Sequence, residues 1–187
     1  PTLSSAASDV YKRQASTPLV TTEAGSTASF TVVLDAKPTD NVTVSITGDD
    51  STEHQLSASS LTFTTSNWNT PQTITVTGVD DNLDDGDITT TLTATASNSG
   101  GYAGTETATT TLKTSDNDAA GITIAQTGTT DGSGNLLTTE AGSTSAFTVV
   151  LDAKPTADVT VSITGADSTE HSLSCLLYTS DAADDNV

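Results

Sequence analysis

Basic side chains are scarce in this chain. Five Lys and Arg stand against 24 Asp and Glu, a formal net charge of −19. So one-sided a surface repels nucleic acid and anionic membranes and attracts cations. Cysteine is almost missing as well: the single Cys175 lies close to the end, which leaves no disulfide framework and no thiol chemistry to build on. No run of about 18 apolar residues is present to cross a membrane, and no secretory leader is visible. Reaction motifs are absent too. There is no His-Glu-x-x-His zinc motif and no Gly-x-Ser-x-Gly elbow. His54 and His171 each stand alone in a Ser-Thr-Glu-His run, so both read as surface or loop-packing histidines and not as zinc ligands. The chain is therefore expected not to be an enzyme.

Two runs at the ends have an unusual origin. Ser4-Ser5-Ala6-Ala7-Ser8-Asp9-Val10-Tyr11-Lys12-Arg13-Gln14 resembles the translation of a transposase-type sequencing-library adapter. Cys175-Leu176-Leu177-Tyr178-Thr179-Ser180-Asp181-Ala182-Ala183-Asp184 resembles its reverse complement read in the second frame. Residues 1–14 and 175–187 are accordingly expected to be adapter-derived tails, not native, and to add little to any core. Removing the four Asp of the tails from the 24 acidic residues leaves 20, against three Lys, so residues 15–174 carry a charge of −17. A chain cut at both ends would show no leader even if the parent protein had one.

What is present repeats. Thr21 to Ser57 returns as Thr138 to Ser174 at an offset of 117 residues, with 31 of 37 positions the same. A period this long means tandem domains, each large enough to bury its own core, and not a solenoid. Residues 15–120 are expected to be one unit lacking its first strand, the counterpart of Gly121-Ile122-Thr123-Ile124-Ala125. Residues 121–174 begin a second, truncated unit.

Apolar residues alternate with Thr and Ser throughout. Phe30, Val32 and Leu34 share one face, as do Val42, Val44 and Ile46, then Leu61 and Phe63, then Ile74 and Val76, the signature of half-buried strands. No window carries a helical stripe. The pattern predicts strands over 27–35, 41–47, 60–64, 72–79, 88–97, 105–114 and 121–126, broken by Gly, Pro, Asn and Asp turns. Seven strands in such a unit make an all-β, immunoglobulin-like antiparallel β-sandwich.

Carboxylates gather between strands. The densest run, Val79-Asp80-Asp81-Asn82-Leu83-Asp84-Asp85-Gly86-Asp87, holds five of them in nine residues. Two carboxylates about 4 Å apart repel by roughly 4 kcal/mol at an effective dielectric near 20. A folded loop of this kind therefore holds a cation or stays splayed in water, and many hard oxygen ligands favour Ca2+. The loop is not an EF-hand: counted from Asp80, Asp85 takes the glycine position and Thr91 the twelfth. Asp131-Gly132-Ser133-Gly134-Asn135 reads as a turn. Loops an even number of strands apart meet at one end of a sandwich, where Glu23, Asp50, the 80–87 loop and 116–118 are expected to converge.

Glu23-x-Gly25, the Asp80-Asp81 opening with its acidic continuation, and the Asp116-Asn117-Asp118 exit resemble a Calx-beta repeat. The segment Ser66 to Val76 is similar to its variant in long bacterial surface proteins. That resemblance, which covers essentially all of 15–174, implies a group of Ca2+ ions at the domain end, held by Glu23, Asp50, Asp80, Asp81, Asp84, Asp87, Asp116 and Asp118. Asn117 interrupts the exit run and Gly86 shortens the acidic side of the hairpin. The function implied is a non-catalytic repeat of an extracellular, adhesin-like bacterial surface protein. Its partners would be Ca2+, neighbouring repeats, and surface glycans or proteins, with Ca2+ stiffening the junction at 116–121. The second unit offers Glu140 and Asp167 without hairpin or exit acids, so it is expected to hold no complete site.

Two other readings compete. Trp68 and Tyr102, the large amphipathic aromatics of 15–174, could form a sugar-stacking platform in a glycan-binding module, although Trp68 fits better as a plug at the end of the sandwich. The chain could also be an accessory domain of a secreted polysaccharide-degrading enzyme.

Overall fold

A computed structural model describes residues 19–164, 169–174 and 177–180. The tail at 1–14 and Asp167 lie outside the described residues. Among those described there are twelve strands and no helix, so the fold is all-β. The residues fall into two compact units, one formed by 19–81 with 85–117, the other by 82–84 with 118 onward.

In the first unit, β1 (Leu19–Thr22), β3 (Val42–Thr47), β5 (Ser60–Phe63), β7 (Ile88–Ala96) and β8 (Thr107–Ser115) form one sheet in the order β1-β8-β7-β3-β5. The second sheet is β2 (Thr27–Val32), β6 (Gln72–Gly78) and β4 (His54–Leu56), in the order β2-β6-β4. Alternation decides which side chains meet between the sheets. Val42, Val44 and Ile46 on β3, Phe63 on β5 and Leu92 on β7 pack against Val32 and Ile74 from the facing sheet. Each such side chain contributes about 1.5–3 kcal/mol by leaving water. The outward positions are mostly Thr and Ser, which keep strand propensity without an apolar outer face.

The sandwich expectation holds, with additions. β1 and β4 lie where no strand was expected. β1 runs parallel to β8, Leu19 opposite Leu112 and Thr22 opposite Ser115, whereas every other pairing in the unit is antiparallel. β1 is thereby joined to the last strand of its unit, a partner more than 90 positions away that alternation within four residues cannot announce.

The second unit contains β9 (Ile122–Gln126) paired with β10 (Phe147–Leu151), and β11 (Val159–Ser162) paired with β12 (Leu177–Ser180). β12 falls within the run read as an adapter tail. Its pairing puts Val159 opposite Ser180 and Ser162 opposite Leu177, each position 117 residues beyond the β3–β5 pairs Val42 with Phe63 and Ser45 with Ser60. The backbone of 177–180 thus takes the place of β5 in the same register. A ladder is made by amides and carbonyls whatever side chains they carry, and the connection has the same length in both units.

Candidate metal centre

One pole of the first unit collects four chain crossings. β1 and β8 end there together, because they are parallel with Thr22 opposite Ser115. β6 ends where β4 begins, Gly78 opposite His54. β7 starts beside the end of β8, Ile88 opposite Thr114. The segments of this unit at the pole are therefore 23–26, 48–53, 79–81, 85–87 and 116–117. Backbone bonds fix them to one another: the Glu23 amide donates to the Ser115 carbonyl at 3.1 Å, and the Val79 amide donates to the Glu53 carbonyl at 2.9 Å. Gly78 permits the closest approach, since a Cβ there would run into the Thr22 carbonyl oxygen.

Two carboxylic side chains are buried at this pole. Glu23 is 1% exposed and Glu53 4%. With the exposed Asp85 they present carboxylate oxygens that all lie within 4.8 Å of one another. The Glu23 Oε2 accepts a 3.3 Å bond from the Asn117 amide. Burial, together with Asp116, Asp81 and Glu53 nearby, pushes the Glu23 carboxyl up to about 7 in spite of that bond. Burial first, then Asp85, Asp50, Asp81 and Asp116, pushes the Glu53 carboxyl up as well. Like charges crowded away from water are tolerated when protonated or when a cation joins them. Carboxylate oxygens are hard ligands, the kind that Ca2+ and Mg2+ take. The buried acids can therefore hold a metal ion.

The residues expected as ligands divide. Asp81 is half-buried and close enough to raise both glutamates. Asp116 also faces Glu23, but its Oδ2 accepts from the Gly86 amide at 2.7 Å, while its own amide donates to Asp87. Asp80 accepts from the Asn117 side chain at 3.1 Å. Asp87 is paired with Lys113 at 2.5 Å, and that ammonium holds its carboxyl below the ordinary value. Asp84 and Asp118 belong to the second unit, where Asp84 accepts from the Ala120 amide at 2.7 Å.

Asp50 stands outside the cluster. Its Oδ1 accepts from the Thr52 hydroxyl at 2.6 Å and the Thr52 amide at 3.1 Å, and those bonds keep its carboxyl below the ordinary value. The carboxylate folds the 50–53 turn and sends the next acid, Glu53, inward. Glu53 and Asp85, which the sequence reading did not name as ligands, lie in the close group with Glu23, and Asp50 and Asp84 do not. A signal existed for Glu53: it is kept as Glu170 in the second Ser-Thr-Glu-His run, while the flanking Asp49 and Gln55 change.

His54 is fully buried, its Nε2 accepting from the Asp50 amide at 3.4 Å, and burial pushes its pKa down. It packs beneath the turn, in contrast to the exposed His171. Tyr102 is 5% exposed, with its hydroxyl donating to the Ala36 carbonyl at 2.8 Å. Trp68 packs against the core, its amide and carbonyl tied to Thr64 and Leu34. Tyr102 is therefore unavailable to a stacking platform.

No family model matches the chain, and no curated protein matches it. Among solved structures, the chain is similar to surface layer protein SbsC, domains 1–6, at 18% identity and a TM-score of 0.35, over 89% of this chain and 20% of that one. The chain thus spans one fifth of that structure's length, and a likeness this loose carries no argument.

Proposed function

We propose that the first unit is a non-catalytic Ca2+-binding structural repeat of an extracellular, adhesin-like surface protein, similar to a Calx-beta repeat. The observation that carries this reading is the burial of Glu23 and Glu53 with ligand oxygens within 4.8 Å of each other and of Asp85. An arrangement that only stabilised the fold would not crowd acids where water cannot screen them. Glu23, Glu53 and Asp85 would hold the ion, with water completing the six to eight oxygens that Ca2+ takes. The ion would neutralise the pole and tie together the segments that end there. Because β8 delivers the chain to the next repeat from this pole, Ca2+ would stiffen the stretch that follows it. The 117-residue repetition, the Thr-rich outer faces and the charge of −17 over residues 15–174 suit a soluble spacer used many times in series.

Thermal melts of the whole chain with Ca2+, with Mg2+ and with chelator test the reading. Ca2+ at about 100 times its dissociation constant is expected to stabilise the first unit by about 2.7 kcal/mol. The same midpoint in all three conditions would overturn it.

A further inference from the structure

The second unit lays a strand along the counterpart of β2, a place that no described strand takes in the first unit. In the second unit β9 lies against β10, Ile124 opposite Val149 and Ile122 opposite Leu151. The repeat counterparts of Val149 and Leu151 are Val32 and Leu34, at the end of β2. β2 pairs with β6 on one side, and no described strand lies on the other.

The backbone there is set for a partner. The Gly78 amide donates to Ser26, and with Phe30 opposite Ile74 this phase turns the backbone groups of Ala28, Phe30 and Val32 toward β6. Those of Thr31 and Val33 point away. In the second unit the Asp152 amide donates to Gly121 and the Thr127 amide to Ala146. That phase turns Thr148 and Val150, the counterparts of Thr31 and Val33, toward β9. Beside this edge a small hollow of about 10 Å³ lies between the sheets, with Phe30, Val32, Ile46, Leu92 and Ala94 among its lining.

We infer that the outer edge of β2 is a strand-acceptor site for the segment Gly121 to Gly128 of a second copy of this chain. Added in the register of the β9–β10 pair, that strand sets Ile124 beside Val32 and Ile122 beside Leu34, on the side of β2 that faces the core. The donor gives up little. Its isoleucines are 52% and 63% exposed in place, and a two-stranded sheet is marginal alone. The acceptor supplies a three-stranded sheet already packed on a core, where the donor isoleucines would lose exposure.

A fluorescent peptide of residues 121–128 added to the whole chain, with the chain's own association followed by sedimentation, tests this. Saturable binding is expected, weakened at least about tenfold by Ile124→Asp in the peptide and by Val33→Pro in the acceptor, since proline removes the outward amide yet is tolerated on an edge. Self-association of the chain is expected to rise with concentration and to fall when the chain carries Ile124→Asp. Circular dichroism of the proline variant guards against misfolding, and the altered peptide has no fold to lose. Absence of binding, as when the chain's own N-terminal residues hold the edge, would overturn the inference. So would binding that ignores Ile124→Asp.

Discussion

Glu23 accepts one hydrogen bond from Asn117 and is otherwise closed off from water among three like charges. Glutamine keeps an acceptor for Asn117 and removes the charge. In chelator, Glu23→Gln is expected to melt no lower than the wild type at pH 7.5, and its Ca2+-dependent rise in midpoint is expected to vanish. Both are read by melting the two proteins side by side. The carboxyl also sets a pH dependence. Because its folded pKa rises from 4.5 to about 7, the folded state holds more protons across that interval. Stability without metal therefore falls as pH climbs from about 4.5 to 7 and levels off above. His54 acts in the other sense: burial lowers its pKa from 6.5, so below 6.5 the unfolded chain takes the proton first and stability falls on acidification. Urea titrations in chelator at several pH values separate the two. Glu23→Gln should make the limb that declines toward pH 7 shallower, leaving the part that the raised Glu53 carboxyl contributes, and leave the acid limb of His54. A ligand set read from acid density alone misses Glu53, since a lone Glu in a turn carries no excess of charge. It overvalues Asp50, whose spacing to Thr52 marks a turn cap.

Strands with regular alternation and a local partner are legible: β3, β6 and β7 begin and end within a residue of the expected bounds. β1 and β4 are not, because four residues and three residues hold too few alternations to register, and β1 depends on a partner at the far end of the unit. The pole itself was legible, since strand order alone brings alternate loops together. Which acids turn inward was not, because that depends on backbone contacts such as the one at Gly78. Its φ is not positive, so the glycine is needed for room and not for conformation. Gly78→Ala drives a methyl group into the Thr22 carbonyl, with backbone on both sides unable to rotate away. It is expected to destabilise the first unit by about 1–3 kcal/mol and to weaken Ca2+ stabilisation by displacing Glu23. Gly25→Ala, where a Cβ meets nothing within 4 Å but φ is +80°, should cost about 1–2 kcal/mol through strain while leaving that displacement out. Urea unfolding with and without Ca2+ distinguishes the two.

At the scale of the molecule, the same sequence motif sits in two environments. Glu23 and Glu140 are repeat counterparts, each followed by Ala-Gly-Ser-Thr, yet Glu23 is buried and Glu140 exposed. The difference lies in what covers them. Glu23 is enclosed by the ends of β1, β6 and β8, and no described strand takes those parts around Glu140. Leu136 to Thr139, the counterpart of β1, accordingly forms no strand and contributes one isolated bridge between Leu136 and Thr130. Acids that meet only where strands converge do not meet in the second unit, even though Glu140 and Glu170 keep their places in sequence. Ca2+ protection should therefore be confined to the first unit. Hydrogen exchange is expected to slow on adding Ca2+ at the amides of Glu23, Val79 and Asn117, with no change at Glu140 or along β10. Glu140→Gln is expected to leave the Ca2+-dependent midpoint where it was, whereas Glu23→Gln removes the dependence. Equal losses from the two substitutions would show that the ion is held by exposed charge, and the buried cluster would then have no part in binding it.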